Sequence, residues 1–197
     1  DLWAKQLAHR RRAIAMTTVH TLSSSSGSSV TVLGMGGTID KDYPRTTKGY
    51  AFEIDEPAAS RVLEALPHSG IAYEVHSICR KDSTEITDGD REALCSAIRK
   101  IASSRIIVTH GTDTMIETAN YVFNSGAAAN KAIAFTGAMK PERFKDSDAA
   151  FNLGMAVAAT SLLSPGCVSV CMGGKAIDCT RAVRDLDSGF FLERASS

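Results

Sequence analysis

From residue 30 onward, apolar runs rich in β-branched residues alternate with stretches whose apolar positions recur at helical spacing. The runs VTVLGM (30–35), GIAYEVHSI (70–78), RIIVT (105–109), KAIAF (131–135) and CVSVCM (167–172) predict strands. Helical spacing predicts helices over 57–66, 87–103, 112–123 and 146–163. Pro57 suits a first helical turn. Thr87 suits an N-cap, with Asp88 and Asp90 placed favourably against the dipole of the helix that follows. Charged or small-residue stretches at 40–49, 80–87 and 124–130 read as loops, the first of them flexible and able to cover a site. The segment 178–193 is charge-rich and carries no clear pattern.

Strands and helices alternating at this spacing predict an α/β fold, an open parallel sheet with helices on both faces in a Rossmann- or flavodoxin-like three-layer sandwich. The domain is expected over 30–197. Residues 1–29 differ, with a basic HRRR at 9–12 and a low-complexity LSSSSGSS at 22–29, and are expected to be a disordered leader or a non-native remnant ahead of Met16.

Three of the predicted strands end in glycine-bearing polar turns: GGT (36–38), HGT (110–112) and TGA (136–138). In a parallel sheet such turns share the carboxyl edge, where these folds bind ligands. Hydroxyls and a carboxylate at Thr112, Asp113 and Thr114, beside the free N–H groups of a helix start, suit a small polar ligand; they equally suit ordinary helix capping. Gly36 and Gly37 could serve only a turn with positive φ.

Composition narrows the chemistry. Lys+Arg and Asp+Glu both number 22 in 197 residues, so no basic surplus draws nucleic acid or an anionic membrane surface. No apolar run approaches the roughly 20 residues of a membrane span. Five cysteines without a CxxC pair argue against a disulfide framework or a structural zinc site. They fit a reducing compartment, the cytoplasm, with organellar targeting by the basic leader as the alternative. The five histidines offer no close ligand pair, and GMGGTI is neither GxGxxG nor a P-loop. No cofactor is therefore expected. What remains is two threonines following glycine, Thr38 and Thr112, each a candidate nucleophile that needs a base or a cation nearby. Asp113 is the nearest partner, and Tyr50 or a lysine could complete the set.

The strings GGTID (36–40), THGTDTMIETA (109–119), TGAMKP (136–141) and SDAAFNLGMA (147–156) resemble, in order and spacing, the amino-terminal domain of the bacterial-type L-asparaginase family. The resemblance implies hydrolysis of the side-chain amide of asparagine, often also glutamine, through a threonine nucleophile. It makes Thr38 the nucleophile and Tyr50 the tyrosine that polarises it, with Tyr43 as a rival. It makes Thr112 and Asp113 the second catalytic threonine and the aspartate that binds the substrate ammonium. Ser83 corresponds to the serine that holds the α-carboxylate, Ala138 to a carbonyl near the leaving amide, and Gly37 and Gly111 to substrate-contacting backbone.

Two departures from the family pattern stand out. Family members commonly carry a second domain that completes a neighbouring site, which implies that this chain works as a homodimer or larger homo-oligomer. The family lysine of the second triad aligns with Arg184, and arginine holds charge without exchanging protons. Lys140 or Lys175 could stand in for it. The readings are an asparagine amidohydrolase, a non-catalytic or weakly active amino-acid binder on the same fold, and an ammonia-supplying subunit of an amidotransferase.

Overall fold

The computed structural model describes residues 19–20, 29–44, 52–66 and 70–194. Its strands are β1 (Val19–His20), β2 (Val30–Gly36), β3 (Lys41–Asp42), β4 (Glu53–Ile54), β5 (Tyr73–Lys81), β6 (Arg105–Thr109), β7 (Ala132–Thr136), β8 (Val168–Met172), β9 (Lys175–Asp178), β10 (Ala182–Arg184) and β11 (Phe191–Glu193). Its α-helices are α1 (Ala59–Glu64), α2 (Asp88–Lys100), α3 (Met115–Asn124) and α4 (Ala149–Leu162).

The main sheet runs β1-β5-β2-β6-β7-β8-β9. Its five central strands are parallel, and β1 and β9 close the two edges antiparallel. The α/β fold with helices on both faces therefore holds, with antiparallel edges that the hydrophobic pattern does not reveal. The β8–β9 hairpin turns on Gly173 and Gly174, both at positive φ, as a two-residue hairpin loop requires. Strands β10 and β11 pair in the tail whose pattern is unclear.

Strands β2, β6, β7 and β8 bury both faces, which is why their sequences read as continuous apolar runs. On one face Leu33, Met35, Ile106, Val108, Ile133 and Phe135 meet Leu94 and Ile98 of α2 and Met115 and Val122 of α3. On the other, Val32, Ile107 and Ala134 meet Val62 and Leu63 of α1 and Leu153 and Ala156 of α4.

Helix α2 starts as expected. The Thr87 hydroxyl accepts from the Asp90 N–H at 3.4 Å while the Asp90 carboxylate accepts from the Thr87 N–H at 2.8 Å, a reciprocal capping box. Elsewhere the boundaries shift in ways that matter. Helix α3 begins at Met115, so Thr112, Asp113 and Thr114 stay in the turn ahead of it. Strand β5 continues through Lys81 into the predicted loop 80–87, because Lys81 pairs with Gly36 across a register shift. Of the segment expected to be a disordered leader, Val19–His20 instead forms an edge strand on β5; apart from Ser29, the rest lies outside the described residues.

Candidate active site

Four strand ends meet at the carboxyl edge only because glycines stand there. Gly37 sits at φ +87°, and a Cβ on it would lie 2.3 Å from the Gly111 nitrogen and 2.4 Å from the Gly111 Cα. A Cβ on Gly111 would lie 2.6 Å from the Ser83 Cβ, and one on Gly137 would lie 2.4 Å from the His110 carbonyl oxygen. Real Cβ atoms do not approach backbone so closely, so the ends of β2, β5, β6 and β7 nest only with hydrogen at these positions. Thr38 and Thr112 each follow one of the two touching glycines.

Thr38 opens a short 3-10 turn, Thr38–Asp40. It is half-buried, and its hydroxyl has no hydrogen-bond partner among the described residues. Asp40 is buried, and its carboxylate accepts the Ala58 N–H at 2.7 Å. Burial pushes the Asp40 carboxyl up to about 7, against the lowering effects of the Ala58 bond and of Arg61 and Arg80. Its backbone carbonyl accepts the Asp55 N–H at 3.0 Å, so Asp40 ties the Thr38 turn to the returning limb of the β3–β4 hairpin.

The HGTDT turn is held from three sides. The Ser83 side chain is buried; its hydroxyl accepts the Asp113 N–H at 3.3 Å and lies 3.4 Å from the Asp113 carboxylate. The Thr114 hydroxyl donates to the Ser83 carbonyl at 2.7 Å and makes no cap to α3, so the capping reading of this turn does not hold. From β10, the Arg184 guanidinium pairs with the Asp113 carboxylate and sits 5.8 Å over the Phe191 ring. The Thr112 hydroxyl, like that of Thr38, has no partner among the described residues. Beneath the turn, His110 is fully buried with Nδ1 2.8 Å from the Gly111 carbonyl, so Nδ1 carries the proton and donates. Burial lowers His110 to about 4, leaving a neutral ring that braces the turn.

The fourth strand end, TGAMKP, is braced by the start of α4. The Asp148 carboxylate accepts the Met139 N–H at 2.9 Å and the Lys140 N–H at 3.2 Å. Asn152 is fully buried, donates to the Gly137 carbonyl at 3.0 Å and accepts the Gly173 N–H at 3.1 Å. Ala138 packs against Ile39 of the Thr38 turn together with Ala58 and Ala149.

The fold thus gathers Gly37, Ser83, Gly111, Asp113 and Arg184 in direct contact, with Thr38 and Thr112 on the touching glycines and Ala138 on the neighbouring turn. Tyr50 lies outside the described residues. Its rival Tyr43 is 69% exposed, with its ring 5.2 Å from Phe52. Lys140 pairs with Asp146, and the Lys175 ammonium points to the Phe191 carbonyl at 3.4 Å, so both are engaged away from Thr112. The sequence reading gave no role to Asp40, Asp148 or Asn152. All three lie inside the strings GGTID and SDAAFNLGMA, but their significance depends on backbone groups 8 to 21 residues away that they bond.

Comparison with known proteins agrees with this geometry. The family model described as Asparaginase, N-terminal, matches residues 29–189. A glutaminase-asparaginase of Acinetobacter glutaminasificans is 27% identical over 138 residues, 67% of this chain and 41% of that protein. L-asparaginase 2 of Escherichia coli is 28% identical over 132 residues, 65% of this chain and 37% of that protein. The solved structure of the thermostable L-asparaginase from Thermococcus kodakarensis superposes with a TM-score of 0.69 at 26% identity, covering 84% of this chain and 51% of that one. The chain therefore spans about two fifths of the length of these curated relatives. Four motifs in order, a matching fold and a family model over most of the chain agree: the protein belongs to the asparaginase family, and what it shares with that family is the amino-terminal domain.

Proposed function

We propose that this protein hydrolyses the side-chain amide of L-asparagine, and less readily L-glutamine, to the acid and ammonia. The observation that carries the reading is the contact of Gly37 with Gly111, which brings two threonine-bearing strand ends together. In the proposed mechanism the Thr38 hydroxyl, polarised by Tyr50, attacks the amide carbonyl. The C–N bond breaks, the nitrogen takes a proton and leaves as ammonia, and water then cleaves the Thr38 acyl ester. Backbone groups of Gly37 and Gly111 contact the substrate, and Ser83 holds its α-carboxylate. Asp113 receives the α-ammonium, and the Ala138 carbonyl accepts from the leaving amide. Thr112 is the second catalytic hydroxyl, and Arg184 balances the charge of Asp113. One methylene separates the two substrates, worth about 1–3 kcal/mol of discrimination, so both are expected to react.

A specific observation favours a second reading, an amino-acid binder of little or no turnover. The guanidinium already paired with Asp113 remains protonated, where a lysine could exchange a proton. We further propose that 30–197 acts as one domain in a homodimer or larger homo-oligomer. The exposed Met139 and Phe190, which line one cleft, support this, because exposed apolar surface often marks a contact with another chain. All five cysteines are free thiols, which supports a reducing, cytoplasmic setting. Among the described residues no helix is long and apolar enough to cross a membrane.

The test is ammonia release from L-asparagine and L-glutamine by the wild type and by Thr38→Ala. Turnover that Thr38→Ala abolishes supports the amidohydrolase. No turnover by the wild type, with L-asparagine still raising its melting temperature, moves the conclusion to the binder.

A further inference from the structure

The string SDAAFNLGMA has no part in the mechanism above, yet its first acidic residue does something unusual. Asp148 stands at the N-cap of α4, where a carboxylate ordinarily accepts N–H groups of its own helix. Asp148 makes no such bond. The Ser147 hydroxyl accepts the Ala149 N–H at 3.1 Å instead. The Asp148 carboxylate turns outward and takes the Met139 N–H at 2.9 and 3.1 Å and the Lys140 N–H at 3.2 Å, while Asn152 donates to it at 2.8 Å.

The consequence follows from peptide geometry. The bond between Ala138 and Met139 is trans and planar, so its N–H and C=O point in opposite directions. With the Met139 N–H fixed on Asp148, the Ala138 carbonyl is aimed away from Asp148. That carbonyl accepts no hydrogen bond from the described residues. The preceding carbonyl, of Gly137, is occupied by Asn152 at 3.0 Å. A charged acceptor on the N–H also polarises the same peptide, strengthening its oxygen as an acceptor.

We propose that Asp148 is a positioning residue for the leaving group: through the Met139 N–H it aims and strengthens the Ala138 carbonyl as the acceptor for the N–H groups of the amide being cleaved. The inference rests on the amidohydrolase reading and deepens it. The bond it supports is made only while nitrogen carries hydrogen, so its effect depends on the leaving group. An ester of the same acyl group, L-aspartic acid β-methyl ester, expels methanol through an oxygen that has no N–H to offer, yet forms the same Thr38 acyl ester.

The experiment compares kcat/KM, which reports acylation, for L-asparagine and for L-aspartic acid β-methyl ester in the wild type and in Asp148→Asn. Misplacing a catalytic contact costs on the order of 10²-fold, so the amide is expected to lose about 10- to 100-fold. The ester is expected to lose under about threefold, since the acyl side of the site is untouched. Equal losses on both substrates would make Asp148 a general support of the fold and overturn the inference, leaving the amidohydrolase standing. A wild type that cleaves neither substrate brings down the amidohydrolase reading and the inference with it. Should Asp148→Asn fail to fold, Asp148→Glu, which keeps the charge and moves the carboxylate by one methylene, supplies the same comparison.

Discussion

The Cβ that Gly37 lacks would stand 2.3 Å from the amide nitrogen of Gly111, 74 residues further along the chain and in the turn that follows the neighbouring strand. No side chain fits in that space, so the junction of β2 and β6 tolerates only hydrogen there. Both a positive φ and a backbone neighbour exclude alanine, and the two can be separated by experiment.

Gly126 also has positive φ, +68°, but a Cβ on it would meet nothing within 4 Å. Gly126→Ala is expected to cost only the left-handed penalty, about 1 kcal/mol. Gly37→Ala adds a clash that backbone must relieve, for a total of about 3–5 kcal/mol. At roughly 2–4 °C per kcal/mol, thermal unfolding should show Gly37→Ala at least about 4 °C below Gly126→Ala. Equal melting temperatures would mean that the strand ends can part freely, and that the site is looser than its geometry.

Arg184 pairs with Asp113, at the position that the sequence resemblance assigns to a lysine. Arg184→Lys keeps the charge and restores a group that can exchange a proton. We expect kcat for L-asparagine to rise roughly tenfold and the pH–rate profile to gain an ionisation that the wild type lacks. A fall in kcat with an unchanged profile would show instead that the site depends on the guanidinium itself.

Asp40 gives stability a pH dependence whose sign is fixed. Its carboxyl is raised to about 7 in the folded protein from 3.8, chiefly by burial. Between those values the folded state keeps a proton that the unfolded chain releases, so this contribution is complete below about 4 and is lost as pH rises through 7. Its full size is about 4 kcal/mol. Asp40→Asn can keep the bond from the Ala58 N–H and removes the titration, at the cost of burying amide hydrogens, about 1–3 kcal/mol. Urea unfolding should find the variant more stable than the wild type by about 1–3 kcal/mol at about pH 8, with the advantage shrinking or reversing at about pH 5. A difference that does not change with pH would place the Asp40 ionisation elsewhere.

Much of this could be read from the chain alone. The apolar, β-branched runs at 30–35, 105–109 and 131–135 read as strands, and GGT, HGT and TGA as their ends. The Thr87 cap was equally legible, because a capping box spans four residues and its physics is local. Helix starts were less so: a Thr-Asp-Thr string looks the same whether it caps its own helix or, as here, turns to Ser83 in the 3-10 turn after another strand.

What the sequence determined by itself is the order of the five parallel strands and the four helices, the chemistry carried at their ends and the family, since all of these reside in residue types and short spacings. What only the tertiary structure decided is which of those ends touch. Placing β2 between β5 and β6 brings Gly37 against Gly111 and Ser83 against Asp113. Folding the β10–β11 hairpin back over the turn delivers Arg184 to Asp113, and docking α4 on β7 and β8 turns Asp148 toward Met139. Periodicity and propensity record interactions a few residues apart, whereas these contacts join residues 9 to 74 positions apart and are set by the sheet order and the burial of its two faces.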